Sequence, residues 1–503
     1  MRSKKAVYNI ITSLGLQLIL IVYNFVFPQI VIRMFGSDVN GLVNSIAKFL
    51  SYISLFEAGF GGVVQYLLYK PIANKNKKEV VDVLTSAQQF FKKVCLVFIL
   101  YVLLLCIFYP YAAQDSFNNY YVISLILIIA ISTLAEYYFG LVYKVYLLAR
   151  QQKYIPSIFQ IVTYTISIVA VVLLSHSHIS IQLFETIVCI IFIVRPILQG
   201  IYVRKKYNIK LNGNKKYIIR QKWDALAQHI ASVIHNSTDV VVLTFFCDIS
   251  EVSVYSVYYM VVYGVRSIAS VFYDSLNSIF GDIIAKKETK KLKESFDMTE
   301  SLYFSIVGVL FSCAIVLIVP FVKVYMNGVT DANYDRPLFA VLLVLSEFVW
   351  AIRLPFSSIA LAAGHYKQTR RGAILECVTN IIISVVLVSR YGIIGVAIGT
   401  LVAMFVRTVE FVLHTNRYVV KRSVRRSVSK IVLLCFQVLA ITLFFFFVKL
   451  PDATSFSQWI IDAIVVLFVS VLIVVGINCL VYKKDFLRFS KQVSGIIHRR
   501  KKV

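Results

Sequence analysis

The chain has 503 residues, 59% of them hydrophobic, a mean hydropathy of +0.78 and a formal net charge of +27. No water-soluble core of this length could hide so much apolar surface, so the bilayer is the solvent and a soluble enzyme is excluded. The basic residues sit in short clusters between apolar segments, a pattern that reports membrane topology and not nucleic acid, with some excess left for an anionic substrate or anionic lipid.

Apolar segments of about 20 residues or more, enough to cross a bilayer, fall near 8–34, 41–69, 84–110, 120–149, 155–175, 181–203, 223–248, 253–284, 298–324, 337–363, 371–390, 393–413, 430–449 and 458–482. The reading is an all-α polytopic membrane protein with fourteen transmembrane helices. An even number places both termini on one side, and MRSKK at the start with HRRKK near the end makes that side the cytoplasm. The first segment has no small-residue cleavage site and is long enough to span, so it is expected to be retained. The connections at 70–78, 204–222, 286–293, 367–371 and 417–430 are strongly basic; those at 112–119, 175–180, 248–252, 325–336 and 450–457 hold one basic residue, Arg336. The eight cysteines lie in or at the ends of apolar segments without a CxxC spacing and read as small core hydrophobes.

The most unusual stretch is 54–78, SLFEAGFGGVVQYLLYKPIANKNKK. It places one acid, Glu57, inside an apolar run, followed by Gly59, Gly61 and Gly62 and a basic exit. A carboxylate at bilayer depth needs a cavity or a partner, and clustered glycines allow helices to approach closely. The stretch therefore reads as a helix lining something polar.

The longest basic connection divides the chain into 1–206, a linker at 207–222, 223–428, and a terminal 429–503 holding the last two helices and a basic tail. The first two blocks echo each other at offsets of 212–214 residues: Asp38 with Glu251, Lys153 with Lys367, Arg195 with Arg407. Six helices is even, so the two bundles are expected to be related by a pseudo-twofold axis along the membrane normal.

Two six-helix bundles plus a terminal pair resemble the polysaccharide flippases (Wzx type, Gram-positive capsule-locus branch) of the multidrug/oligosaccharidyl-lipid/polysaccharide exporter superfamily. Residues 35–80, beginning FGSDVNGLVNSIAKF, resemble that branch's pattern for its first two helices. Residues 361–400, LAAGHYKQTRRGAILECVTNIIISVVLVSRYGIIGVAIGT, resemble its pattern for the tenth to twelfth, and LLARQQKYIP at 147–156 is a weaker third match. The resemblance implies a MATE/MurJ-like fold and no catalytic or metal site. It also implies transport of an undecaprenyl-pyrophosphate-linked oligosaccharide across the bacterial cytoplasmic membrane, driven by H+ or Na+ coupling where any coupling exists. Membrane lipids, a polymerase and other glycan-assembly proteins are the implied partners; nucleic acid is not.

Several cations are too deep for easy snorkelling. Arg266 lies about 20 Å from the outer start of its segment and Lys48 about 12 Å below the outer turn, with Arg353 similarly central. These three could hold a pyrophosphate by charge-assisted hydrogen bonds, or be paired internally, Arg266 with Asp274 two turns on. In the related lipid II flippases, cations of the first, second and eighth helices line the cavity, which favours Lys48 and Arg266 and adds Arg33. Arg195 and Arg407, repeat mates about 13–15 Å above the cytoplasmic clusters, suit a cytoplasmic gate network or plain snorkelling. Among the acids, Glu57, Asp274 and Glu136 are candidates for coupling or counter-charge. Related drug exporters often bind their cation on an acid of the first helix, and 8–34 has none. His229 and His235 are candidate relays but more often packing donors, and Pro28 and Pro355 are the expected bending points.

Two other functions compete. A cation-coupled multidrug exporter would use the same fold, but the cationic balance at depth favours anionic cargo. A membrane glycan polymerase or ligase would need a sizeable outer loop, and the longest here is about a dozen residues. No GxxxxGK[ST] occurs, which excludes an ATPase within this chain.

Overall fold

Among the described residues the apolar segments fall largely on helix, and no strand occurs. A computed structural model of the protein describes residues 2–57, 60–112, 117–211, 223–277 and 280–483. Among them, eleven helices are long and apolar enough to cross a membrane. The three segments that fall short are 41–69, 223–248 and 253–284. These are also segments with polar residues at depth, Lys48, His229 and Arg266 among them. The first of them falls short on length, its longest helix having 15 residues.

The chain divides into two compact units, residues 1–256 and 257–503. Much of the expected 207–222 linker lies outside the described residues. The first unit begins with α1 (Arg2–Phe35), α2 (Ser37–Ser51), α3 (Ser54–Glu57), α4 (Phe60–Ala73) and α5 (Lys77–Ala112). It continues with α6 (Asn119–Ala135), a π segment at Glu136–Gly140, α7 (Leu141–Ala149), α8 (Tyr154–Leu174), α9 (Ile181–Tyr207) and α10 (Trp223–Phe246), and takes in the start of α11 (Ile249–Asn277). Asn118 and Ser180 cap α6 and α9, their side-chain oxygens accepting from Tyr120 N at 3.2 Å and Leu183 N at 3.4 Å. In water the exposed Ile10, Ile11, Leu14 and Leu18 of α1 would be a liability; in lipid they are the expected surface. α10 is joined to α2 by small hydroxyls, Ser45 with Thr244 at 2.6 Å and Ser51 with Ser237 at 3.2 Å.

The 41–69 segment is not the single span expected. Its helix is interrupted at 52–53, where Tyr52 N and Ile53 N bond three residues back, to Phe49 O and Leu50 O. These tighter bonds, with Ser51 Oγ donating to Lys48 O at 2.6 Å, end α2 before α3 begins. The glycine expectation also changes. Gly62 is exposed and a Cβ there would meet nothing, so no helix packs closely on it among the described residues; Gly59 lies outside them.

The second unit holds the rest of α11, then α12 (Phe280–Ala285), α13 (Thr289–Tyr325), α14 (Pro337–Ala362), α15 (Arg370–Tyr391) and α16 (Ile393–His414). A π segment at Thr415–Val419 comes next, then α17 (Val424–Phe447) and α18 (Phe456–Val481). α13 has 37 residues, about 55 Å of helix, and much of it is buried. α17 and α18 both pack against it. Val309 and Leu317 of α13 form one apolar cluster with Ile441, Phe445, Val466 and Val474 of the terminal pair. Below that cluster the contact is polar: Gln437 donates to Asn478 Oδ1 and Asn478 to Ser305 Oγ, both at 2.8 Å. Cys435 and Cys479 are exposed on this pair, not packed in a core as the sequence reading had the cysteines.

Candidate functional site

The deep arginines are held by carboxylates, most of them from other helices of the same unit. In the first unit Glu136 opens the π segment and accepts from Arg195 of α9 at 2.9 Å, with Lys144 at 3.9 Å. The two elements meet closely here. A Cβ on Gly140 would lie 2.7 Å from Pro196 Cβ, one residue past Arg195, so a side chain there would push α9 away. π segments are frequent at functional sites because the extra residue rotates the remainder of the helix.

In the second unit Arg266 of α11 donates to Glu347 Oε1 of α14 at 3.1 Å, and its guanidinium lies 4.0 Å from the Trp350 ring. Asp274, the acid two turns on, is exposed. Glu347 is almost wholly buried, and its Oε2 has no hydrogen-bond partner among the described residues. One oxygen thus binds the arginine while the other retains capacity for a proton or a donor. Glu347 had no role in the sequence reading. Its place opposite Arg266 depends on two helices 81 residues apart meeting, which no local pattern encodes.

One turn and a half along α14, Arg353 donates to Glu376 Oε1 of α15 at 2.8 Å. The other oxygen of Glu376 faces Arg407 Nε of α16 at 3.4 Å. Arg407 also donates to Glu410 and, at 2.8 Å, to Thr369 O, and it lies over Phe411. It is 2% exposed, the largest fully buried side chain of the chain among those described. Room for it comes from Gly372, where a Cβ would collide with the Glu410 carboxylate and Arg407 Nη1. Thr369, Gly372 and Glu376 all belong to the 361–400 stretch whose pattern was legible in the sequence. That stretch builds the counter-charge for Arg407 and Arg353.

A further buried network ties the terminal pair to α13. Arg422 donates to Asp297 and to Glu300 Oε2 (2.8 Å), and Lys430 lies 3.1 Å from Glu300 and donates to Asp297 O at 2.8 Å. Ser427 donates to Glu300 Oε1 at 2.7 Å. The 417–430 run had read as a plain basic loop. Three of its cations, Arg422, Arg426 and Lys430, instead serve buried acids, Arg426 lying 3.0 Å from Asp297; the helix begins inside the run and carries Lys430 onto a packed face.

The remaining candidates lie on α1, α2, α3 and α10. Lys48 is half-buried in the last turn of α2. Arg33 is exposed in the last turn of α1. Glu57 ends α3, and its side chain lies outside the described residues, as does that of His235. His229 Nε2 is 3.0 Å from Ser54 O, joining α10 to the interrupted stretch in the packing role.

Long apolar helices cross-linked by buried arginine–carboxylate pairs define a multi-pass membrane protein. Its fold is that of a known group of transporters. The lipid II flippase MurJ in an inward closed conformation matches with a TM-score of 0.65 over 93% of this chain and 98% of that one, at 16% identity. A multidrug resistance MATE family transporter of the MOP superfamily, inward-facing, matches with a TM-score of 0.56 over 81% of this chain and 97% of that one, at 12% identity. The eukaryotic MATE transporter AtDTX14 gives 0.56, covering 86% and 99%, at 15% identity. No protein-family model matches the sequence, and none of the curated proteins does.

Proposed function

We propose that the protein is a flippase of the same superfamily. It would move an undecaprenyl-pyrophosphate-linked oligosaccharide from the inner to the outer leaflet of the bacterial cytoplasmic membrane, for capsule or exopolysaccharide assembly. The observation that carries this reading is the likeness to MurJ, which runs through 93% of the chain, against 81% and 86% for the two MATE transporters.

The chemistry supports anionic cargo. Arg266 and Arg353 are held by carboxylates, and a guanidinium that forks onto a carboxylate forks equally onto a phosphate. Substrate pyrophosphate would displace Glu347 and Glu376 from these arginines. The freed Glu347, with its unsatisfied oxygen, would take up a cation or proton, a coupling role we assign jointly to Glu347 and Glu57. Arg195 and Arg407 would hold the cytoplasmic gate. Contacts in the two halves share a spacing, which supports the repeat at 1–206 and 223–428. Arg195 to Glu136 spans 59 residues, and so do Thr408 to Val349 O and Thr415 to Phe356 O. With both termini cytoplasmic, the basic loops face the side where the substrate is made.

Replacing Arg266 and Arg353 one at a time with Gln, at matched protein level, tests this through surface glycan. Loss of export in either supports the reading; undiminished export in both overturns it. The second reading, a cation-coupled exporter, rests on the MATE likeness, and efflux of a cationic dye that survives both substitutions would favour it.

A further inference from the structure

Three turns at the basic-loop end of the first unit frame a cavity of about 360 Å³. They are the α4–α5 turn, the α7–α8 turn and the end of α9. Each turn uses a non-glycine residue in the left-handed region: Lys75 at φ 55°, Gln151 at φ 56° and Asn208 at φ 50°. Such a conformation is unfavourable for a residue that carries a side chain and persists where the surroundings impose it. Three of them around one cavity hold its rim in a fixed shape.

Three cations line this cavity: Lys75, Lys77 and Arg150. No acid lines it, and none of the three makes an ion pair among the described residues. That sets them apart from the deep arginines, each of which has its carboxylate. Arg150 is nevertheless held in place. Its Nη1 donates to Tyr146 Oη at 2.9 Å and its guanidinium lies 4.4 Å from the Tyr207 ring centroid. Tyr207 is itself fixed by donating to Gln152 Oε1 at 2.6 Å. A guanidinium oriented by two aromatic neighbours, with donors left over, has already lost the freedom that binding would otherwise cost. The rest of the wall is apolar, from Ile209 and its neighbours. The volume lies in the range of small-molecule sites, about 300–1,000 Å³, far more than one bare ion fills.

We propose that this cavity binds a phosphate group, with Arg150 as the oriented anchor and Lys75 and Lys77 closing over it from the rim. The phosphate is carried by an anionic membrane lipid, whose glycerol would rest on the apolar wall, or comes free from solution. The site lies within the first unit and uses none of the residues assigned to transport, so it stands without the flippase reading.

The test uses the full-length purified protein with two probes. Sodium pyrophosphate is titrated calorimetrically in neutral detergent. Retention of phosphatidylglycerol is counted by native mass spectrometry after extraction from nanodiscs of phosphatidylglycerol and phosphatidylcholine. Arg150→Gln is expected to weaken binding of the true ligand about tenfold or more, the scale of a lost charge-assisted bond. The exposed pair Lys75→Gln/Lys77→Gln, which leaves the packed wall intact, is expected to do so several-fold. Lys421→Gln, a basic residue outside the cavity, should change nothing. An effect on phosphatidylglycerol alone assigns the lipid; an effect on pyrophosphate assigns the soluble ion. Equal binding of both probes by wild type and the two cavity variants, or an equal loss in Lys421→Gln, overturns the proposal.

Discussion

Arg407 and Arg353, on neighbouring helices, share the two oxygens of Glu376, one at 3.4 Å and the other at 2.8 Å. Removing one partner of a buried pair leaves an uncompensated charge, at about 3–5 kcal/mol. Glu376→Gln should therefore lower the thermal midpoint of the detergent-purified protein by several degrees. Glu376→Asp, which keeps the charge but shortens the reach, should fall between. A midpoint for Glu376→Gln within one degree of wild type would mean that Glu410 and Thr369 suffice for Arg407.

Gly372 and Gly62 should respond oppositely to alanine. At Gly372 a methyl would displace Glu410 and the Arg407 guanidinium, so Gly372→Ala is expected to destabilise by about 1–3 kcal/mol, as overpacking does. At Gly62 a Cβ meets open space, so Gly62→Ala should be neutral or stabilising by up to about 1 kcal/mol through helix propensity. Parallel thermal melts would read the contrast, and a destabilised Gly62→Ala would contradict the open face.

Arg266 and Glu347 invite a double-mutant cycle. Each single change to Gln strands a buried charge and should destabilise, while the double change removes both and should recover most of the loss. Under the flippase proposal the double variant, though folded, should still fail to export surface glycan. Recovery of stability together with export would make the pair purely structural.

Arg422 bridges Asp297 and Glu300 where α17 begins. Arg422→Gln should loosen the terminal pair from α13 and expose it to limited proteolysis near 420–423, while α14–α16 stay protected. Unchanged cleavage in that connection would show that the apolar cluster around Val474 and Ile441 suffices to hold it.

The apolar segments and their limits were readable because hydropathy and length are local sums: a segment that crosses a bilayer must be apolar over about 20 residues wherever it later packs. The basic connections were legible for the same local reason, whereas the 361–400 stretch, which holds Thr369, Gly372 and Glu376, stood out through its resemblance to a family pattern. The sequence could also say that Arg266, Arg353 and Arg407 needed a partner. It could not say which, and the nearest guess, Asp274 for Arg266, was displaced by Glu347 from another helix. Pairing depends on how each helix is rotated about its axis. A helix apolar nearly all round does not declare that angle, and one extra residue in a π segment turns the rest by about 100°. The capture of Arg422 and Lys430 by Asp297 and Glu300 and the cavity at Arg150 were decided in this way. They arise from helix rotation and contact between distant segments, which only the tertiary structure sets.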